Sequence, residues 1–433
     1  MQIRGLFADT APLRNPHFRR LWSANIVTVV GAQLTVVAVP AQIYAITGSS
    51  AYVGLTGLFG LVPLVVFGLW GGALADVMDR RTIMVVTTLG LIATSACFWL
   101  QAAAGAQDVW LLLGLFAVQQ AFFAVNQPTR SAILPKLLPA AQLPAANSLN
   151  MTVMMAGAIA GPLVGGALIP VVGFSWLYLI DTVTLFATLQ AVVLLPRLPV
   201  EGAAATPGLR AVVDGLVYLR GHPILLTSFL VDLIAMIFGM PRALFPQIAH
   251  ADFAGPAEGG LAFALLFAAI PAGSVIGGVF SGWVSRIERQ GLAVVVAIVV
   301  WGLAITGFGL AVALADLSHG LMLGLAVLML VIGGAADMAS AAFRTSMLQS
   351  AASDAVRGRL QGVFIVVVAG GPRIADVAHG ASAAVVGTAA TAAGGGVLVV
   401  VLVVAAALAV PGFVRYRLND PVDEDGPEVE AER

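Results

Sequence analysis

Apolar stretches of about twenty or more residues recur twelve times along this chain, at about 18–46, 51–77, 82–105, 108–134, 146–170, 174–195, 223–249, 260–284, 291–315, 320–347, 360–388 and 394–413. A helix rises 1.5 Å per residue, so each stretch is long enough to cross a bilayer core about 30 Å thick. Fitting that length twelve times into 433 residues leaves short connections and no room for a large water-soluble domain. Charged residues make up 10% of the chain, against roughly a quarter in a soluble domain, which excludes a soluble globular protein. The expected fold is an all-α membrane protein with twelve transmembrane helices in two pseudo-symmetric six-helix bundles. The first run is longer than a signal-peptide core and lacks a clean small-residue cleavage site, so it is expected to stay as a span.

The longest polar interval before the C-terminus, 196–222, carries Arg197, Glu201, Arg210, Asp214 and Arg220 and divides the runs six and six. The expected organisation is a cytoplasmic segment 1–17, a bundle 18–195, a linker 196–222, a second bundle 223–414 and an acidic tail 415–433. Leu209, Val212, Val213, Leu216 and Val217 recur at helical spacing within the linker, as in an amphipathic helix lying on a bilayer surface or an ordinary linker helix. Basic residues cluster at alternate ends of the spans: Arg19 and Arg20, Arg80 and Arg81, Arg130 and Lys136, Arg286 and Arg289, Arg357 and Arg359, Arg415 and Arg417. The intervening loops hold no lysine or arginine, so the positive-inside rule puts both termini in the cytoplasm of a multi-pass cell-membrane protein.

An internal repeat supports the division. Sliding the second half back by 214 positions superposes Arg344 on Arg130, Leu348 on Leu134, Gly371 on Gly157 and Gly380 on Gly166 without a gap. A parallel duplication of this kind is the symmetry of many secondary transporters, whose substrate sites lie near the midplane. Lys136, the one lysine, follows Ser131-Ala132-Ile133-Leu134-Pro135, so no Walker A loop is present. Neither His-Glu-x-x-His nor Gly-x-Ser-x-Gly occurs, and no enzyme, cofactor, metal site or nucleic-acid partner is expected. Cys97 lies alone in an apolar run and reads as a small packing residue.

Between the second and third runs the chain reads Gly71-Gly72-Ala73-Leu74-Ala75-Asp76-Val77-Met78-Asp79-Arg80-Arg81. Through Gly72, Asp76, Arg80 and Arg81 this resembles the loop signature of the major facilitator superfamily, departing from it at Val77 and Asp79. The resemblance implies a cytoplasmic gate latch. Gly157-x-x-x-Gly161-Pro162-x-x-Gly165-Gly166 is similar to the fifth-helix motif of superfamily members that export against a proton gradient. Glycines at this spacing form a smooth stripe for close helix packing, and Pro162 removes a backbone donor. Gly273, Gly277 and Ser281 offer a second stripe. The stretches 215–223 and 354–362 resemble the branch of siderophore exporters and macrolide-type efflux proteins.

An ionisable residue near the midplane costs roughly 2.5–3.5 kcal/mol on insertion scales and is a functional candidate by default. Asp232 has no charged neighbour within a helical turn and is the first candidate for proton coupling, followed by Asp337 and Asp376; the alternative for Asp232 is an ion pair with an arginine such as Arg373. Arg373 and Asp376 stand at i, i+3 and can neutralise each other. His379 can extend that pair or serve as a hydrogen-bonded packing residue, and Asp181 is read as scaffold. The resemblance places runs one, four, seven and ten around a cavity, which puts Asn25, Gln33, Gln119, Gln120, Asn126 and Arg344 around it with Asp232 and Asp337; Arg373 of run eleven is a further candidate.

The function implied is a monomeric exporter of a small amphipathic substrate, siderophore or drug-like, working by alternating access and proton antiport in the lipid bilayer. An importer on the same fold, or a transport-inactive sensor or scaffold, remains open.

Overall fold

The computed structural model describes residues 9–197, 216–351 and 354–417, with side chains for all of these except 69, 71–77, 285, 350, 351, 354–366 and 368. All regular structure among them is helical. The long helices are α1 (Pro16–Thr47), α2 (Ser50–Val77), α3 (Arg80–Ala103), α4 (Val109–Leu137), α5 (Leu143–Val193), α6 (Pro223–Gly239), α7 (Leu261–Val279), α8 (Gln290–Ala313), α9 (His319–Ala351), α10 (Asp354–Val386) and α11 (Thr388–Ala409). Ten helical stretches among the described residues are long and apolar enough to cross a membrane. α5 bends at Gly173, where φ 77° and ψ 168° leave the helical region and divide it into two limbs. α10 carries Arg373, Asp376 and His379 in its second half. Most of the predicted linker helix and nearly all of the acidic tail lie outside the described residues.

Local chemistry sets the helix ends. Asn15 caps α1, its side-chain oxygen accepting from the backbone of His17 (2.9 Å) and Phe18 (3.2 Å), with Pro16 in the first helical position. Its amide nitrogen also donates to the Leu137 carbonyl at 2.8 Å, tying the start of α1 to the end of α4. Asp108 caps α4 in the same manner. Large apolar side chains stay on the outside, Val171 at 80% and Leu408 at 75% exposure. An outward surface of that kind is stable against lipid, not water. Cys97 lies on this outer surface, not in a packed interior.

The chain forms two compact units. Unit 1 holds 1–206 and 245–268, and unit 2 holds 207–244 and 269–433. The expected division at the linker assigned 245–268 to the second bundle. The difference has a local cause: α6 ends at Gly239, Pro241 follows, and only short helical turns run from Arg242 to Asp252. The segment after the break packs within unit 1, where the Gly260 backbone N–H donates to the Gly166 carbonyl at 2.8 Å and the Ser50 N–H to Gln247 Oε1 at 3.2 Å. Gly260, at φ +101°, allows that approach.

Inside unit 1, Leu21, Ala24, Met84, Ile133, Ala191, Val192 and Leu195 form one core cluster, and Phe18, Leu134, Leu138, Ala146 and Leu149 a second. In unit 2 the fully buried Trp301 fills space left by Gly239 and Gly333, and its indole N–H donates to the Ala235 carbonyl at 3.3 Å.

Candidate functional site

Polar side chains inside apolar helices gather in four places. The first is in unit 2. Asp232 of α6, 1% exposed, forms an ion pair with Arg344 of α9, whose Nε also donates to Ser340 Oγ at 3.2 Å. Asp337 lies two helical turns before Arg344 on the same face of α9 and interacts electrostatically with both Arg344 and Asp232. Asp337 is therefore within electrostatic range of an ion pair whose direct partners are Asp232 and Arg344. Asp232 is thus paired with an arginine from another helix, Arg344 and not Arg373; the partner is distant in sequence, and a search within one turn of its own helix cannot find it.

The second group is also in unit 2. Arg242, in the short turn after the α6 break, pairs with Asp376 of α10 at 3.5 Å. Arg373 is within electrostatic reach of both. His379 Nε2 lies 3.1 Å from the Phe238 carbonyl, and since a carbonyl only accepts, that nitrogen carries the proton. Phe238 is in the last turn of α6, where carbonyls lose their helical partners, so the histidine satisfies a broken helix end. The sequence marks Arg242, Arg373 and Asp376 alike as intramembrane charges, but the i, i+3 spacing pairs Asp376 with Arg373 and gives no sign of Arg242 as its partner. The position of Arg242 just after Pro241 was the available signal.

The third group belongs to unit 1. Asp181 Oδ2 accepts from Thr35 (2.8 Å) and Ser95 (2.9 Å), while Tyr178 Oη donates to Gln42 Oε1 (2.9 Å) and Gln42 exchanges bonds with Gln101 (3.2 and 3.1 Å). This buried network joins α1, α3 and the second limb of α5, in keeping with a scaffold reading of Asp181. Asn126 is drawn into similar work. It is buried and donates to Thr87 (2.8 Å) and Thr88 (3.5 Å) of α3, so its amide is turned to a neighbouring helix and not to a cavity. Asn25 is buried on α1, and Gln119 and Gln120 are half-buried on α4.

The glycine motif shows which surfaces it serves. A Cβ on Gly157 would overlap Val29, on Gly161 it would overlap Gln33, and on Gly165 it would approach Leu34 and Val37, so three of the glycines pack against α1. Gln33 is accordingly a packing side chain across the stripe. Gly166 faces Ala264 and Phe263 of α7. The stripe at Gly273 and Gly277 meets Val331 and Ala335 of α9.

The fourth group is the basic loop. The side chains of Gly72 and Asp76 lie outside those described. Arg80 donates to the Ala132 carbonyl of α4 at 2.9 Å, and Arg81 to the Val193 carbonyl at the end of α5 at 2.6 Å. Both cations thus meet carbonyls near helix C-termini, where the helix dipole favours positive charge. Asp79, a departure from the superfamily signature, caps α3 by accepting from the backbone of Arg81 (2.8 Å) and Thr82 (3.2 Å). Asp79→Ala is expected to lower stability by about 1 kcal/mol, read as a small drop in melting temperature, while Asp79→Asn retains the cap.

A family model described as a transmembrane secretion effector matches residues 7–430. The enterobactin exporters of Shigella boydii serotype 18 and Escherichia coli O1:K1 are each 28% identical to this chain over 379 residues, covering 86% of it and 86% of their own length. Among solved structures, the nucleoside transporter NupG aligns with a TM-score of 0.71 at 13% identity, over 92% of this chain and 99% of its own. A bacterial homologue of the iron transporter ferroportin in an inward-facing state gives 0.66 at 14% identity, over 92% and 98%. At such identities these two likenesses speak for the fold alone.

Proposed function

Because the chain belongs to the transmembrane secretion effector family of the major facilitator transporters, we propose that it exports a small amphipathic molecule by alternating access, driven by proton antiport. The family and the enterobactin-exporting relatives support export. The twelve-span arrangement is supported by the ten apolar helices, the division of α5 at Gly173 and the charged helix α10. Both termini are assigned to the cytoplasm of the cell membrane on the alternation of basic residues.

The observation that carries the coupling mechanism is the Asp232–Arg344–Asp337 group. With both acids ionised it holds one negative charge in excess, and one proton makes it neutral. A transporter that exchanges protons for substrate needs a site whose charge alternates between two values inside the membrane. Asp232 is committed to Arg344 by direct contact, which leaves Asp337 as the acid that gains and loses the proton. Asp376 is a lesser candidate because Arg242 and Arg373 both act on it.

The test is Asp337→Asn in reconstituted vesicles. Asparagine keeps the shape and removes the titratable group. The ion pair at Asp232 remains, so the melting temperature should stay close to wild type, uphill export should be lost, and downhill equilibration should persist. A stable Asp337→Asn protein that exports uphill as well as wild type would remove Asp337 from the mechanism.

A further inference from the structure

A groove of about 580 Å³ opens within unit 2 between α7, α8 and α9. Ala293 and Ala297 of α8 and Ala335 and Ala339 of α9 line it, and side chains so small leave the space unfilled. Phe280 and Trp283, in the turn after α7, stand beside it at 72% and 47% exposure. Among the described residues the one charged side chain lining the groove is that of Arg289, the residue before the first of α8. No hydrogen bond or ion pair among the described residues engages its guanidinium. Glu288 next to it meets Arg417 at 3.9 Å, and Arg286 adds a second exposed cation three positions earlier.

The dimensions match one leaflet of a bilayer. The groove follows α8 from Arg289 to Val300, eleven residues (300 minus 289) and about 16 Å at 1.5 Å per residue. Half of a hydrocarbon core about 30 Å thick is about 15 Å. Under the proposed topology Arg286 and Arg289 lie at the cytoplasmic end of their spans, which sets the cation at headgroup level and the apolar length at the depth of an acyl chain. Trp283 belongs to the same cytoplasmic turn, and aromatic side chains of its kind gather at the membrane interface. Basic pockets between transmembrane helices on the cytoplasmic side suit anionic headgroups.

We propose that this groove binds a phospholipid with an anionic headgroup, one acyl chain lying along α8 and the phosphate meeting Arg289. Charge selects the lipid class. A zwitterionic headgroup brings a cation of its own to Arg286 and Arg289, whereas a net-negative one gains about fivefold in affinity from each basic residue near the surface. The inference goes beyond transport and needs neither the substrate nor the coupling ion.

The test is native mass spectrometry of the purified full-length protein in a neutral detergent, titrated with dioleoyl phosphatidylglycerol or dioleoyl phosphatidylcholine. The first phosphatidylglycerol should bind wild type at least about fivefold more tightly than the first phosphatidylcholine. Arg289→Gln should remove that preference. Val296→Trp fills the groove from a position that is 54% exposed, and it should lower phosphatidylglycerol affinity at least as much with Arg289 in place. Both substitutions are at exposed positions, so the lipid-free melting temperatures should stay close to wild type. Arg19→Gln removes an exposed cation at the start of α1 and should leave the preference intact. Equal wild-type affinities for the two lipids overturn the proposal. So does an equal loss in Arg19→Gln, the mark of diffuse surface charge. A phosphatidylglycerol preference that survives Val296→Trp marks a headgroup contact without the groove and also overturns it. A protein dimer that carries no lipid and dissociates in Val296→Trp assigns the groove to a second copy of the chain, with the same consequence.

Discussion

Asp232→Asn should destabilise the protein by about 3–5 kcal/mol, the cost of stranding one partner of a buried ion pair. The pair joins α6 to α9, and both side chains are closed off from solvent, Asp232 almost completely. Removing the carboxylate leaves Arg344 with only the more distant Asp337. The expected result is a protein that reaches the membrane in much reduced amount and elutes poorly from size-exclusion chromatography in detergent. Asp232→Asn combined with Arg344→Met should recover most of the lost stability, since a buried pair replaced on both sides by neutral groups is often tolerated. The recovered double variant should still fail to export uphill. An Asp232→Asn single variant with normal melting temperature and yield would show that the pair contributes little to the fold.

Gly161→Leu is the second large effect. Even the first carbon of a new side chain would overlap Gln33 on α1. Overpacking of this kind costs about 1–3 kcal/mol, and a whole isobutyl group on a helix backbone in close contact belongs at the upper end. Gly161→Ala should fall between wild type and Gly161→Leu. Gly114 of α4 provides the control, because nothing stands within 4 Å of a Cβ built there. Gly114→Leu should therefore melt near wild type. Equal melting temperatures for the Gly161 and Gly114 variants would show that α1 and α5 adapt to bulk at the stripe.

The long apolar runs made the helices legible, since lipid permits few other forms for such a stretch. The stripe 157–166 was legible as a packing surface for a similar reason: glycine at helical spacing has little else to do inside a span. The facing partner was not, because periodicity gives the face of a helix and not its neighbour. Three of the four glycines turned out to serve α1 within unit 1. Asp232 failed for the same reason in sharper form. Its charge partner is 112 positions away (344 minus 232) on α9, and pairing across helices is a tertiary fact. Asn126 reads as cavity lining only while the hydroxyls of Thr87 and Thr88 are unplaced. The break after α6 was announced by Pro241, yet no local rule says that the following segment will pack into unit 1.

The joints at Gly173 and Gly387 carry a record of ancestry. Each holds a rare backbone state, φ 77° with ψ 168° and φ 84° with ψ 165°, that is essentially confined to glycine. They stand 214 residues apart (387 minus 173), the same interval that superposes Arg344 on Arg130. Descent from one six-span progenitor accounts for both joints at once. Under the proposed topology an even number of spans returns the chain to the side from which it started. Two copies fused end to end therefore enter the membrane in the same orientation, and the second never had to be inverted. Once joined, the copies were free to diverge under different selection. One arginine now pairs with an acid, and no acid among the described residues pairs with its twin.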